Sequence, residues 1–372
     1  MTTRRRVEIN EKMKKVDKYY EKYNSRKQCA GSHYDNLRIV QPNEFDMDIV
    51  IRLPANYNVD EKTPSNTDII LENESPAYVK LKMGRQFQNL PHRKDHVDII
   101  AYGWMDPKTN YLLRSRFQYW FKSVVDKALN EFDTNIAGEK IIKVRGKEYR
   151  IGLSSSGPAV TLRIMDNDGF LCEVDLVPAL RLPENRWPHT KNHRPILSNC
   201  KTDYWMVVPK PKKGSANQDT TWRIALHDQE YLMMQNQERM KQGIRFIKKL
   251  RDALKMNKIA SYYIKTLFFH ELAEGNNIWR QSDAKIFQVM VLKFRDALNK
   301  GEIPFFWHKG CNLLEGINPQ LLKQYAKELE PLIKTLELPD SEEKCKAVAR
   351  KLLTAVEFRD YDISCGNNNS SL

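Results

Sequence analysis

The sequence predicts an α+β fold, with a mixed β-sheet lobe followed by an all-helical lobe. Three observations predict it. In the first half, short runs such as 43–50 and 171–177 alternate apolar and polar residues between turn-forming stretches. From about residue 227 onward, apolar residues recur at helical spacing. Between the two regimes lies a proline-rich stretch with Pro183, Pro188 and Pro195. A chain of 372 residues is long enough for one bilobal domain or two domains.

The elements follow in order. Residues 7–24 contain no proline or glycine and read as a charged helix. Residues 1–29 carry ten Lys/Arg against four acids. Gly31-Ser32 forms a small turn, and strands are expected at 37–40, 44–53, 78–83 and 97–103. Residues 111–132 have helical spacing, with Phe117, Trp120, Phe121, Val124 and Val125 as the apolar stripe. A meander of strands at 148–153, 160–164 and 170–178 comes next, its first turn being Ser154-Ser155-Ser156-Gly157-Pro158. Helices are expected at 227–255, 259–272, 282–299, 318–337 and 341–358, with Ser282 and Ser341 as N-caps. The polar end of the chain reads as disordered. The expected division is 1–182 for the spine helix and β-lobe, 183–362 for the helical lobe and 363–372 for the tail. A small-molecule site is expected in a cleft between lobes.

Sixty-one Lys+Arg against 47 Asp+Glu give a net charge of +14. That balance favours phosphate-rich partners or an anionic surface. No apolar run is long enough to span a bilayer, and no apolar leader follows Met1. The six cysteines are scattered without a C-x-x-C pair, which reads as reduced thiols. A cytoplasmic protein is the expectation.

The chemistry sits in the acids. Strand side chains alternate faces, so Glu44, Asp46 and Asp48 share one face while Phe45, Met47 and Ile49 take the other. The second run brings Asp175. Carboxylates gathered on a rigid sheet repel each other unless a cation lies between them. Such hard oxygen donors suit Mg²⁺, which also grips phosphates. The Gly31-Ser32 turn can offer backbone N–H groups to those phosphates. Asp46-x-Asp48 is also a D-x-D pair on that face, so the register of the acid pair is open at this level.

These residues resemble a known family. Gly31-Ser32, eleven residues, then Glu44-x-Asp46, with Val174-Asp175-Leu176 far downstream, is similar to the nucleotidyltransferase signature. The nearer resemblance is to the cyclic GMP–AMP synthase-like receptors of the Mab-21 group. It is carried by Pro42-Asn43-Glu44-Phe45-Asp46, Gly157-Pro158-Ala159-Val160-Thr161-Leu162, Thr221-Trp222-Arg223, and Ser261-Tyr262-Tyr263-Ile264-Lys265-Thr266 with Phe268-Phe269-His270. It covers about residues 10–340.

The resemblance implies a two-metal phosphoryl transferase that joins ATP and GTP into a cyclic dinucleotide after sensing a nucleic-acid duplex. Glu44, Asp46 and Asp175 would be catalytic and would hold two Mg²⁺ or Mn²⁺ ions. Gly31 and Ser32 would cradle the triphosphate, and Lys248 and Ser261 would contact phosphates. Tyr262 would stack a base, and Arg223 would contact a base of the other nucleotide. The vertebrate zinc-binding insertion has no counterpart. The stretch 226–248 holds His227 and no cysteine, so no structural zinc is expected. His189, His193 and Cys200, or His308 and Cys311, are weaker ligand sets. The resemblance to insect receptors without the zinc thumb implies double-stranded RNA rather than DNA, with assembly on the duplex. The basic surface would comprise Arg239, Lys241, Arg245, Lys249 and Arg251 with Lys210, Lys212 and Lys213. Residues 239–258 hold eight Lys/Arg against Asp252 alone.

Ala30 stands where the vertebrate enzyme has a hydroxyl residue, which leaves base and linkage preference open. Two other readings stand beside this one: a catalytically silent scaffold on the same fold, and a synthetase of linear 2′-5′ oligonucleotides.

Overall fold

A computed structural model describes residues 2–39, 43–53, 55, 57, 67–84, 100, 103–156, 159–167, 169–212, 218–275 and 277–368. They form two compact units. The first comprises Met1–Asp35, Gln41–Thr190 and Ile196–Glu230. The second comprises Asn36–Val40, Lys191–Pro195 and Tyr231–Leu372.

The first unit is built on one mixed sheet. Its strands are β1 (Asn24–Ala30), β2 (Glu44–Ile51), β3 (Ile69–Ser75), β4 (Tyr78–Met83), β5 (Ile141–Val144), β6 (Lys147–Ser156), β7 (Ala159–Asp166), β8 (Gly169–Pro183), β9 (Tyr204–Val208) and β10 (Thr221–Ala225). Eight of them run in the order β3-β4-β10-β9-β8-β7-β6-β5, and β2 joins β8 with β1 on its far side. The β2–β8 pair is parallel, while β1–β2, β7–β8 and β8–β9 are antiparallel. Strand β8 is the hub. Its first half pairs with β7, its middle with β2 and its end with β9.

Burial explains the sheet. Val50, Ala179, Tyr204, Met206, Val208 and Ala225 make one buried cluster across β2, β8, β9 and β10. Helix α1 (Thr2–Val16) lies against α4 (Arg114–Asn130), while α2 (Lys18–Tyr23) and α3 (Gly31–Tyr34) flank β1. The expected stripe of α4 is buried, Phe117, Trp120, Phe121, Val124 and Val125 included. Trp120 meets Trp104 at 4.8 Å and Tyr20 at 6.5 Å between ring centroids. The single helix expected over 7–24 is interrupted at Asp17. Its backbone is extended, and its carboxylate accepts from the N–H groups of Tyr19 and Tyr20. A cap of that kind starts a new helix rather than continuing the old one.

Among its described residues, the regular structure of the second unit is helical apart from the short pair β11 (Pro304–Phe305) and β12 (His308–Asn312). Its helices are α6 (Glu238–Ala253), α7 (Ser261–Ala273), α8 (Asp283–Lys300), α9 (Pro319–Leu336), α10 (Glu342–Leu352) and α11 (Ala355–Asn368). Helix α5 (His227–Met234) begins in the first unit. Ser282 and Ser341 are N-caps, accepting from the N–H groups of Lys285 and Lys344.

Several expectations are corrected. The expected boundary at 182/183 falls instead at 230/231, because β9 and β10 return beyond the prolines to pair in the sheet. The helix expected over 227–255 splits at Asn236, whose φ of 59° ends α5. Helix α11 runs through 363–368, which the sequence assigns to a disordered tail; residues 369–372 lie outside the described set. No strand forms over 37–39, and the expected strand 97–103 falls mostly outside the described residues, as do Pro42, Gly157 and Pro158.

Gly243 shows how tightly the helices pack. A Cβ there would lie 2.8 Å from Cε1 of Phe268 on α7 and 3.2 Å from Cγ2 of Ile286 on α8. Gly243→Val should therefore cost roughly 2–3 kcal/mol through overpacking. Denaturant unfolding measures it, and an unchanged midpoint would show that the packing yields.

Candidate active site

The parallel register of β2 on β8 sets the geometry. It places Asp46 opposite Asp175 and Glu44 opposite Glu173. Oxygen atoms of Glu44, Asp46 and Asp175 lie within 4.8 Å of one another, and among the described residues they form the group of acids suited to a metal ion. Hydrophobic neighbours hold the strands in place: Phe45, Met47 and Val174, on the opposite faces, are 5 % exposed or less.

Each acid has different surroundings. Asp175 pairs across the β7–β8 ladder with Thr161, whose hydroxyl donates to Oδ1 at 2.5 Å. Thr161 is buried, so that bond fixes the Asp175 rotamer. Glu44 is exposed at the strand end. Asp46 sits between them, and its carboxyl is pushed up to about 6. Burial is the largest cause, followed by the charges of Glu44, Asp175 and Asp48, while His227 opposes the rise.

Asp48 does not join the group. It is 2 % exposed, and its Oδ2 lies 2.5 Å from Nδ1 of His227 at the start of α5. The imidazole thus takes the third carboxylate of the strand face. The structure brings together the Glu44/Asp46 register with Asp175, not the Asp46/Asp48 pair.

Gly31 closes the site on the β1 side. Ala30 pairs with Asp46 across β1–β2, and Gly31 follows with φ +76°. A Cβ on Gly31 would fall 1.8 Å from Oδ2 of Asp46. The turn can approach the carboxylate only because residue 31 has no side chain. Ser32 lies in α3, and its side chain is outside the described set, as is Lys213.

The remaining candidates occupy two separate units. Arg223 lies on β10 in the first unit, its guanidinium 5.3 Å over the ring of Tyr78. Lys210 and Lys212 follow β9. In the second unit Lys248 is buried on α6, and its ammonium donates to the Leu37 carbonyl at 2.6 Å. Ser261 opens α7 and accepts from Arg251 at 2.9 Å. Tyr262 follows it, its ring 6.3 Å from Phe305. The basic residues of α6 are engaged within their own unit. Arg239 donates to the carbonyls of Arg280 and Gln281, and Arg245 to that of Asn36. Lys241 pairs with Glu238, and Lys249 with Glu357. His193 and His308 face each other, ring centroids 4.5 Å apart.

Thr161 and the Asp48–His227 pair are the site neighbours that sequence reasoning missed. Thr161 stood inside a recognised motif, but only the strand register shows that it meets Asp175.

Comparison with known proteins fits this geometry. The sequence profile of the Mab-21 protein nucleotidyltransferase domain matches residues 33–236, more than half of the chain. The chain belongs to the Mab-21 nucleotidyltransferase family. The Mab-21 HhH/H2TH-like domain matches residues 239–331, the helical unit. The chain is 33 % identical over 366 residues to a cyclic GMP-AMP synthase-like receptor of Ctenocephalides felis, covering 94 % of this chain and 81 % of that one. It is 29 % identical over 333 residues to the receptor of the same name in Aethina tumida, covering 88 % and 79 %. A Trichogramma pretiosum receptor is 31 % identical over 317 residues, covering 82 % and 61 %. The chain is therefore a nucleotidyltransferase with the α+β core and helical C-terminal domain of the Mab-21 family. No described helix is long and apolar enough to cross a membrane.

The acid group fits a divalent cation. Three hard oxygen donors converge, and burial together with the neighbouring carboxylates raises the Asp46 carboxyl. Without ions, Asp46 binds its proton more tightly folded than unfolded. Its contribution is full below about 4 and is lost as the pH rises through about 6. Ion-free Asp46→Asn should then be more stable than wild type at pH 7.5, by on the order of 2 kcal/mol, and the gap should close near pH 4. Mg²⁺ should stabilise wild type and not the variant. Unfolding curves in chelator and in Mg²⁺ at both pH values measure this.

Proposed function

We propose that this chain is a double-stranded-RNA-activated synthase of a cyclic dinucleotide, made from ATP and GTP. The convergence of Glu44, Asp46 and Asp175 within 4.8 Å carries the reading. Beside it stand the Gly31 turn against Asp46 and the likeness to proteins named cyclic GMP-AMP synthase-like receptors.

Each of two successive steps joins a ribose hydroxyl oxygen to an α-phosphorus and expels pyrophosphate. Glu44, Asp46 and Asp175 would hold two Mg²⁺ or Mn²⁺ ions. Ions so held supply Lewis-acid activation of the attacking oxygen and neutralise the leaving pyrophosphate. Asp175, fixed by Thr161, is the group best oriented to receive the hydroxyl proton. Backbone N–H groups of Gly31 and Ser32 would cradle the triphosphate. Lys248 and Ser261 would contact phosphates, Tyr262 would stack one base, and Arg223, steadied on Tyr78, would bind the other. RNA is favoured over DNA because the stretch 226–248 lacks the cysteines of a zinc thumb. The duplex would be read through phosphates and 2′-hydroxyls by Arg239, Lys241, Arg245, Lys249 and Arg251, with Lys210, Lys212 and Lys213. A cytoplasmic site of action, assembly on the duplex and a role in antiviral defence complete the reading.

The test uses purified protein with duplex RNA or DNA, ATP, GTP and Mg²⁺. Duplex RNA should yield a phosphatase-resistant product identified by mass and nuclease sensitivity, and Asp46→Asn should yield none. A linear product would assign a 2′-5′ synthetase instead, and silence with every duplex, in Mn²⁺ as well, would leave a scaffold. Thr161→Val should retain the fold and lower turnover by roughly tenfold or more, since it strips a hydrogen bond from a charged group. Unchanged turnover would remove Thr161 from the mechanism.

A further inference from the structure

Helix α11 is attached to its unit in an unusual way. None of its described side chains, 355–362, is buried, and Val356 is 64 % exposed. Among these described side chains, apolar burial therefore contributes little to docking. Among its described contacts are two ion pairs and one cation–π contact. Glu357 pairs with Lys249 on α6 at 2.5 Å, and Asp362 reaches Lys346 on α10 at 3.5 Å, an ammonium that Glu342 of α10 also holds at 2.9 Å. The guanidinium of Arg350, also on α10, lies 5.2 Å over the ring of Phe358. Three cations from two helices thus meet one short segment that carries Glu357, Asp360 and Asp362 against Arg359.

Glu357 has a second task. Its Oε2 accepts from the N–H of Thr354 at 2.8 Å, while its own N–H donates to the Thr354 hydroxyl at 3.3 Å. This is a reciprocal capping box that starts α11. The Lys249 ammonium, with the Thr354 N–H, holds the Glu357 carboxyl at about 2.

Exposed ion pairs contribute between nothing and about 1 kcal/mol each and are screened by salt. A helix docked by such pairs lies at the low end of local stability. A nucleic-acid backbone presents the same anionic chemistry with many more charges in a row.

We infer that the strip formed by Lys249, Lys346 and Arg350 is a binding surface for the phosphate backbone of a nucleic-acid duplex, and that α11 occupies it until the duplex displaces the helix. The inference rests on the nucleic-acid reading above and adds Lys346 and Arg350 to the surface. It makes the acidic helix an internal competitor: each phosphate contact requires release of a carboxylate or of Phe358. Duplex binding to the resting chain is then weaker, and less steeply dependent on salt, than the exposed strip would give.

The experiment uses the full chain and a fluorescent RNA duplex, with anisotropy read from 50 to 300 mM salt. The double variant Glu357→Gln with Asp362→Asn removes both charges, and glutamine still serves the capping box. It should bind roughly three- to tenfold more tightly than wild type at low salt. The slope of log K against log salt should steepen by about one to two. Adding Lys249→Ala and Lys346→Ala to the double variant should abolish the gain. Independently, hydrogen exchange over 355–368 in wild type should quicken when duplex is added. Equal affinity and slope for wild type and double variant, or unchanged exchange, would overturn the inference while leaving duplex binding intact. Failure of every form to bind would remove the nucleic-acid reading and this inference with it.

Discussion

Repulsion among three carboxylates is the constraint on which the first unit depends. Glu44, Asp46 and Asp175 are held within 4.8 Å by strands whose other faces are buried, so the charges cannot separate without breaking a hydrophobic layer. Burial first, and then this repulsion, raises the carboxyl of Asp46. Folding alone would not favour such a group, and a site that stores unfavourable charge is ready for a cation. Around it, Thr161 secures Asp175, His227 engages Asp48, and Gly31 clears the space beside Asp46.

The excess of positive charge is distributed by a second rule. On α6 the cations expected to face a partner are also used inside the unit. Arg239 and Arg245 hold backbone carbonyls, Lys248 holds Leu37, and Lys249 holds Glu357. Lysine and arginine have several donors each, so an internal bond leaves others for a ligand. A basic helix face can thus brace its own fold and remain attractive to phosphate.

Local chemistry made much of this legible in the sequence. The alternation in 44–50 placed Glu44, Asp46 and Asp48 on one face, the stripe of α4 is buried as its spacing required, and Ser282 and Ser341 are caps. What stayed hidden depends on register and long-range contact. No local pattern says that Thr161 lies across from Asp175, or that His227 reaches Asp48 from a different element. The prolines at 183–195 looked like a boundary because they interrupt local structure, yet β9 and β10 return to the sheet. The breaks at Asp17 and Asn236 are single-residue events inside helical patterns, a cap in one case and a left-handed backbone in the other.

Strand β8 has a consequence for how the molecule is made. Asp46 leaves the ribosome long before Asp175, and β3 to β7 with α4 are synthesised between them. The parallel pairing that joins the two acids closes only after β8 exists, and β8 in turn is flanked by β9. Long-range parallel pairing of this kind is slow to form and exposes unpaired edges meanwhile. The nascent chain therefore cannot assemble the acid cluster early. The acid cluster arrives only with completion of the sheet, so a truncated or half-folded copy lacks it.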